Sequence, residues 1–297
     1  MLGGALAGFA QQDALFSQYM FNMMLVNPAY AGSRDVISLS ALYRKQWLNV
    51  PGAPETMTFS ADTPLKNEKM GVGLTVFNDR IGVTNSTGFY ANYAYRVRVS
   101  DKGTFSMGAS AGLTNYKADL AGVKHSDDGT SDNAFSANVS KILPNVGLGL
   151  FYNTDKFYVG ASMPHVLNNK LENDPKVTAR QYRHGYLMGG YVFALNHNFK
   201  LRPSALLKFV SGAPLQLDLN ANLWMYDIVA FGLSYRSAAA PLAMIELQIT
   251  EQLRFGYAFD FSHNINPGNN LGRTTHEVLL RYEFGYDKAK VLTPRYF

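Results

Sequence analysis

The chain has 297 residues, of which 47% are hydrophobic, 13% aromatic and only 16% charged, with a formal net charge of +5 and no cysteine. A cysteine-free chain is expected to lack disulfides, thiolate metal sites and a lipoprotein anchor on its mature form. Mean hydropathy is −0.11, no apolar run reaches the roughly 18 residues of a membrane-spanning helix, and no basic run points to nucleic acid.

Residues 1–10 are small and apolar, and Gly8-Phe9-Ala10 before Gln11 resembles a small-x-small cleavage site. They are expected to be a truncated signal-peptide remnant, with the mature chain starting at Gln11 and exported across the inner membrane. Within residues 11–34, Phe16, Tyr19, Met20, Met23 and Met24 fall at helical spacing until Asn27-Pro28 ends the pattern, and Ala31-Gly32-Ser33 reads as a turn. A short amphipathic segment is predicted there, plugging a lumen or lying across its periplasmic mouth.

From Asp35 onward the sequence alternates with period two. The predicted strands are 35–43, 55–64, 70–79, 86–99, 104–116, 145–153, 157–163, 183–195, 199–209, 214–225, 228–236, 242–249, 253–262 and 274–286. In the closing hairpin Leu253, Phe255, Tyr257 and Phe259 alternate with Arg254, Gly256, Ala258 and Asp260, and Val278, Leu280, Tyr282 and Phe284 with Glu277, Leu279, Arg281 and Glu283. Period alone does not distinguish a soluble sheet from a membrane sheet. An array of about fourteen segments, each near the roughly 9–11 residues a tilted strand needs, does. The predicted class is all-β: a transmembrane antiparallel β-barrel over residues 35–286, multi-pass in a bacterial outer membrane, with a periplasmic tail over 287–297. Short turns such as 100–103, 154–156, 196–198 and 226–227 alternate with long polar loops such as 117–144, 164–182 and 263–273, and the short turns are expected to face the periplasm.

On the inward face the alternation places Arg96, Arg98, Lys200, Arg202, Lys208, Asp218, Glu246 and Glu283, and a proposed lumen network of Arg236, Arg254, Asp260, Glu277 and Arg281. Both signs occur together, which suits internal ion pairs and a plugged or narrow barrel better than an open, single-sign pore.

Catalytic signals are thin. The six histidines, His125, His165, His184, His197, His263 and His276, fit no metal-ligand spacing. His125 with Asp127 and Asp128 is the best lure, and it reads equally as a solvated loop. Gly71-x-Gly73 and Gly147-x-Gly149 sit inside strands, as packing or curvature glycines rather than phosphate cradles. Tyr43-Arg44-Lys45-Gln46-Trp47 suits interfacial anchoring at a barrel rim better than base stacking. No enzyme activity, cofactor or metal is predicted.

The same residues carry a resemblance. Gln12-Asp13, Phe16 to Asn22 (Phe-Ser-Gln-Tyr-Met-Phe-Asn) and Asn27 to Ser33 (Asn-Pro-Ala-Tyr-Ala-Gly-Ser) resemble the N-terminal signature of the PorP/SprF family of Bacteroidota. So do Tyr43-Arg44-x-Gln46-Trp47, Pro51-Gly52-x-Pro54-x-Thr56, Pro203-Ser204-x-Leu206-Leu207-Lys208, Gly232-x-Ser234-Tyr235-Arg236, Gly256-Tyr257-x-x-Asp260, His276-Glu277 and the closing Pro294-Arg295-Tyr296-Phe297. The resemblance implies a non-catalytic outer-membrane barrel of type IX secretion and gliding motility. Its implied partners are ring lipoproteins, a peptidoglycan-binding periplasmic protein and the C-terminal sorting domain of a secreted adhesin, delivered to or anchored at the cell surface. Partner contacts are then expected at Phe16, Gln18, Tyr19, Phe21, Asn22, Asn27, Pro28 and Tyr30, and at Arg295, Tyr296 and Phe297. The alternative is a diffusion channel for small or apolar solutes in which the N-terminal segment is a movable plug.

Overall fold

The structure, a computed structural model, describes residues 16–65, 68–121, 138–171, 181–237, 241–260 and 274–284. The alternating segments become one antiparallel sheet whose strands are β1 (Ile37–Lys45), β2 (Glu55–Pro64), β3 (Met70–Ile81), β4 (Thr84–Arg98), β5 (Thr104–Ala118), β6 (Val139–Asn153), β7 (Phe157–Met163), β8 (His184–Tyr191), β9 (Phe193–Ala194), β10 (Phe199–Val210), β11 (Gln216–Met225), β12 (Val229–Arg236), β13 (Leu242–Gln248), β14 (Leu253–Asp260) and β15 (Thr275–Phe284). Each pairs with its sequence neighbour, and β1 pairs with β15, so the sheet closes on itself. Closure leaves no free edge, the condition for a sheet to live in lipid.

β8 and β9 are one strand. Ser204 lies opposite Gly190 and Leu201 opposite Phe193, an unbroken register. The ladder lapses between them because Pro203 has no N–H to donate, while the Val192 N–H turns to the Lys156 carbonyl at 2.8 Å. The barrel therefore has fourteen strands. β6 begins at Val139, six residues before the predicted Asn145. Pro144 is tolerated there because β7 pairs with β6 only from Leu148 onward. The Pro144 carbonyl points to that vacant side, where the Asn169 side chain donates to it at 2.8 Å, and a missing donor on an unpaired side costs the ladder nothing.

The outward face is apolar, with Phe89, Leu113, Leu148, Leu219, Leu233 and Leu280 all exposed. Ring pairs gather near the short turns: Tyr152–Phe157, Tyr191–Phe193, Phe199–Tyr226 and Tyr282–Phe284, with centroids 4.6–6.3 Å apart. Tyr43 and Trp47 stand on the outer surface at the opposite rim. Such aromatic girdles mark the two interfaces of a membrane barrel. Leu148 projects from the middle of this belt, so Leu148→Arg is expected to cost about 2–4 kcal/mol of barrel stability. Urea titration of the liposome-inserted protein measures it, and a cost near zero would mean that this face does not meet hydrocarbon.

Candidate functional site

Much of the inward face meets protein rather than water. Residues 16–34 thread the lumen, beginning beside Glu277 at the long-loop end of β15 and finishing beside Asp62 and Arg96 at the short-turn ends of β2 and β4. The spacing of Phe16, Tyr19, Met20, Met23 and Met24 suggested one amphipathic stretch, and the structure corrects this. The segment is three single 3-10 turns, Tyr19–Phe21, Met23–Leu25 and Pro28–Tyr30, surrounded by the barrel wall. Asn22 (φ −143°, ψ 72°) and Asn27 (φ −143°, ψ 110°) break the helical path. Their side chains are answered by the wall instead of by water: Asn22 donates to Ser60 Oγ at 2.7 Å and Asn27 to the Leu150 carbonyl at 2.9 Å. Asn27 Oδ1 also caps the last turn, accepting from the Ala29 N–H at 3.0 Å.

The plug is fastened at its head, waist and foot. At the head the Glu277 carboxylate accepts the Ser17 and Gln18 N–H groups, both at 2.8 Å, and pairs with Arg44 Nη1 at 2.8 Å. Arg44 also donates to Ser17 Oγ. Nearby, Arg236 pairs with Asp218 at 2.8 Å and donates to the Phe16 carbonyl at 3.2 Å. At the waist Asn220 donates to the Tyr19 hydroxyl at 2.9 Å, and Arg281 to the Phe21 carbonyl at 2.5 Å. At the foot the Gly32 N–H donates to Asp62 and its carbonyl accepts from Arg96, at 2.8 and 2.7 Å, while Arg34 pairs with Glu283 at 2.5 Å.

Glycines give the plug its room. A Cβ on Gly108 would collide with the backbone of Pro28 and Ala29, and one on Gly149 with Asn27 Oδ1. Gly32 itself takes φ +71° with its Cα against Gly71. These are close-approach glycines, including the two pairs the sequence marked as packing positions.

The structure sorts the expected lumen network into separate clusters. Glu277 joins Arg44, with Asp260 3.9 Å from Arg44. Arg254 and Arg281 share Glu246, at 3.3 and 3.4 Å. Arg236 belongs with Asp218. Arg202 and Arg254 each lie 5.2 Å from the Trp224 ring, a cation–π arrangement. Sequence reasoning missed Arg44, Arg34 and Asp62. Extending the inward row Ser38, Ser40, Leu42 by one step past Tyr43 reaches Arg44, so the signal was present. Of the expected partner contacts, Gln18, Tyr19, Phe21, Asn22, Asn27, Pro28 and Tyr30 are buried against the barrel's own wall, and Phe16 is half-buried. Arg295, Tyr296 and Phe297, and likewise His125, Asp127 and Asp128, lie outside the described residues.

A family model described as "Type IX secretion system membrane protein PorP/SprF" matches residues 8–282. No curated protein matches the chain. Among solved structures the chain is similar to the Acinetobacter baumannii outer membrane protein Omp33, at 12% identity and TM-score 0.49 over 84% of this chain and 98% of that one. It is similar also to a FadL homologue of Pseudomonas aeruginosa (13%, 0.47, 90% and 94%) and to the Pseudomonas putida toluene transporter TodX (11%, 0.49, 88% and 92%).

Proposed function

This chain belongs to the PorP/SprF family of type IX secretion system membrane proteins, its closed barrel set in the bacterial outer membrane, and on that premise we propose that it is a non-catalytic docking component of the secretion and gliding machinery. It binds periplasmic ring lipoproteins and a peptidoglycan-binding protein at its short-turn end, with the tail over 287–297, and the C-terminal domain of a secreted adhesin at its long-loop end. The observation that carries this reading is the filled lumen. A segment bonded to the wall at head, waist and foot suits a barrel that handles proteins at its mouths better than one that passes solutes. All edges being paired, a partner strand has no ladder to join inside the barrel, and recognition falls to side chains and turns. Within the N-terminal block, Phe16 and Pro28 border the space open toward the long-loop mouth, and the rest act by holding the plug.

The tagged protein purified from outer membranes in mild detergent is expected to bring ring lipoproteins, a peptidoglycan-binding protein or a large adhesin, identified by mass spectrometry. A clean barrel that conducts steadily in planar bilayers would replace this reading with the channel. Deleting residues 12–22 does not separate the two by conductance, because removing the plug's head opens the lumen in either case; loss of partners does.

A further inference from the structure

Above the plug, on the β2–β8 side, the lumen keeps a cavity of about 210 Å³. Its floor is Met24, Val26 and Pro28, and its walls mix hydroxyls with rings. The Phe77 and Tyr90 rings stack at 6.1 Å, and His165 meets Tyr90 edge-on at 5.6 Å. Tyr90 is fixed in its plane by a 2.8 Å hydrogen bond between its hydroxyl and that of Thr114. The polar lining is almost uncharged. Among the described lining residues Asp79 is the one carboxylate, it accepts from the Thr56 hydroxyl at 2.6 Å, and there is neither lysine nor arginine. The arginine–carboxylate clusters of Glu277, Glu246 and Asp218 lie across the lumen on β11–β15 and β1, and Arg96 of β4 is paired with Asp35 at the plug's foot. An anion would lose its hydration here with no counter-charge among the described lining residues to replace it, and a cation would meet only the Asp79 carboxylate, already bonded to Thr56. One group is left over: Thr58, 4% exposed, lines the cavity with its Oγ1 buried and without a hydrogen-bond partner. The volume falls below the roughly 300–1,000 Å³ of sites that engulf drug-sized ligands, so the space suits a single ring.

We propose that this cavity binds a neutral aromatic ring carrying one hydrogen-bonding substituent, held between the ring walls and read by the Thr58 hydroxyl. Two sources share that chemistry: a free phenol, and the tyrosine side chain of a polypeptide entering from the long-loop mouth. The site stands whether or not the secretion reading does; only the second source ties them together.

The test uses the full chain in detergent micelles, titrated calorimetrically with p-cresol, with p-xylene, and with a neutral tyrosine-containing decapeptide. Saturable one-to-one binding of p-cresol is expected. Thr58→Val is expected to weaken it by up to about tenfold, the worth of one neutral hydrogen bond, and to leave p-xylene unchanged. Ser110→Phe, which grows a ring into the cavity from β5, is expected to abolish all binding while the barrel keeps its heat-modifiable migration; should that variant not fold, Thr58→Val decides. Binding of the peptide as well as of p-cresol assigns the polypeptide source, and binding of p-cresol alone the free one. No saturable binding of any probe, or equal loss of p-cresol and p-xylene in Thr58→Val, overturns the proposal.

Discussion

Glu277→Ala is expected to destabilise the barrel by at least about 3–5 kcal/mol, the usual cost of stripping one partner from a buried ion pair alone. Arg44, 3% exposed, would keep its charge in the lumen with only Asp260, 3.9 Å away, to offset it. The Ser17 and Gln18 N–H groups would lose their acceptor in the same step. The comparison that isolates these terms is the double variant Arg44→Met/Glu277→Leu. Removing both charges recovers the ionic part, since a well-packed apolar pair is often as stable as a buried ion pair. It leaves two backbone donors unanswered, each worth about 1–3 kcal/mol. The double variant should therefore lie between wild type and Glu277→Ala in a urea titration read by heat-modifiable migration. A Glu277→Ala protein as stable as wild type would mean that the plug's head is not held by this carboxylate.

The second large effect is functional. Gly108→Val puts a branched side chain where the backbone of Pro28 and Ala29 runs. Backbone does not swing aside as a flexible side chain does. Overpacking of this kind costs about 1–3 kcal/mol even where some shift is possible. The weaker partner is the plug, held by scattered side-chain bonds rather than by a continuous ladder, and not the fully paired β5. The expected outcome is a displaced plug and discrete conductance steps in planar bilayers, which the wild type is expected to lack. Ala109→Val is the control, because Ala109 is the next residue on the same strand and faces outward. Equal conductance from both variants would detach the effect from the plug.

Where the chain alternates without interruption, the barrel could be read from the sequence to the residue. Glu55–Pro64 and Phe157–Met163 are strands with the predicted bounds, because period two over a membrane length has few competing explanations. The inward arginines and carboxylates of β10–β15 followed for the same reason. Local rules failed where tertiary context overrode them. Pro144 read as a strand stop, and only the vacancy beside β6 makes it harmless. Phe16 to Met24 read as helical, and only enclosure by the lumen wall lets Asn22 and Asn27 turn the chain aside. Arg34, Asp62 and Arg44 act through partners as many as 249 residues away, a distance no local pattern registers. The cavity was equally illegible, since its walls come from six strands and the segment between β7 and β8, and its floor from the plug.

The pairing of β1 with β15 has a consequence for assembly. The first and last strands are joined directly by their ladder and also through the plug: Ser17 and Gln18 bond to Glu277 across about 260 residues of chain, and Arg34 to Glu283. Contacts that distant in sequence form late, after the entropy of the whole intervening loop has been lost. The N-terminal segment precedes every strand in the chain, yet its bonds to Glu277 and Glu283 await the last one. In the finished barrel it is a mandrel bonded to both sides of the seam, to β1 through Arg44 and to β15 through Glu277. Plug and seam therefore brace each other, and loosening the plug is expected to loosen the junction of the first and last strands.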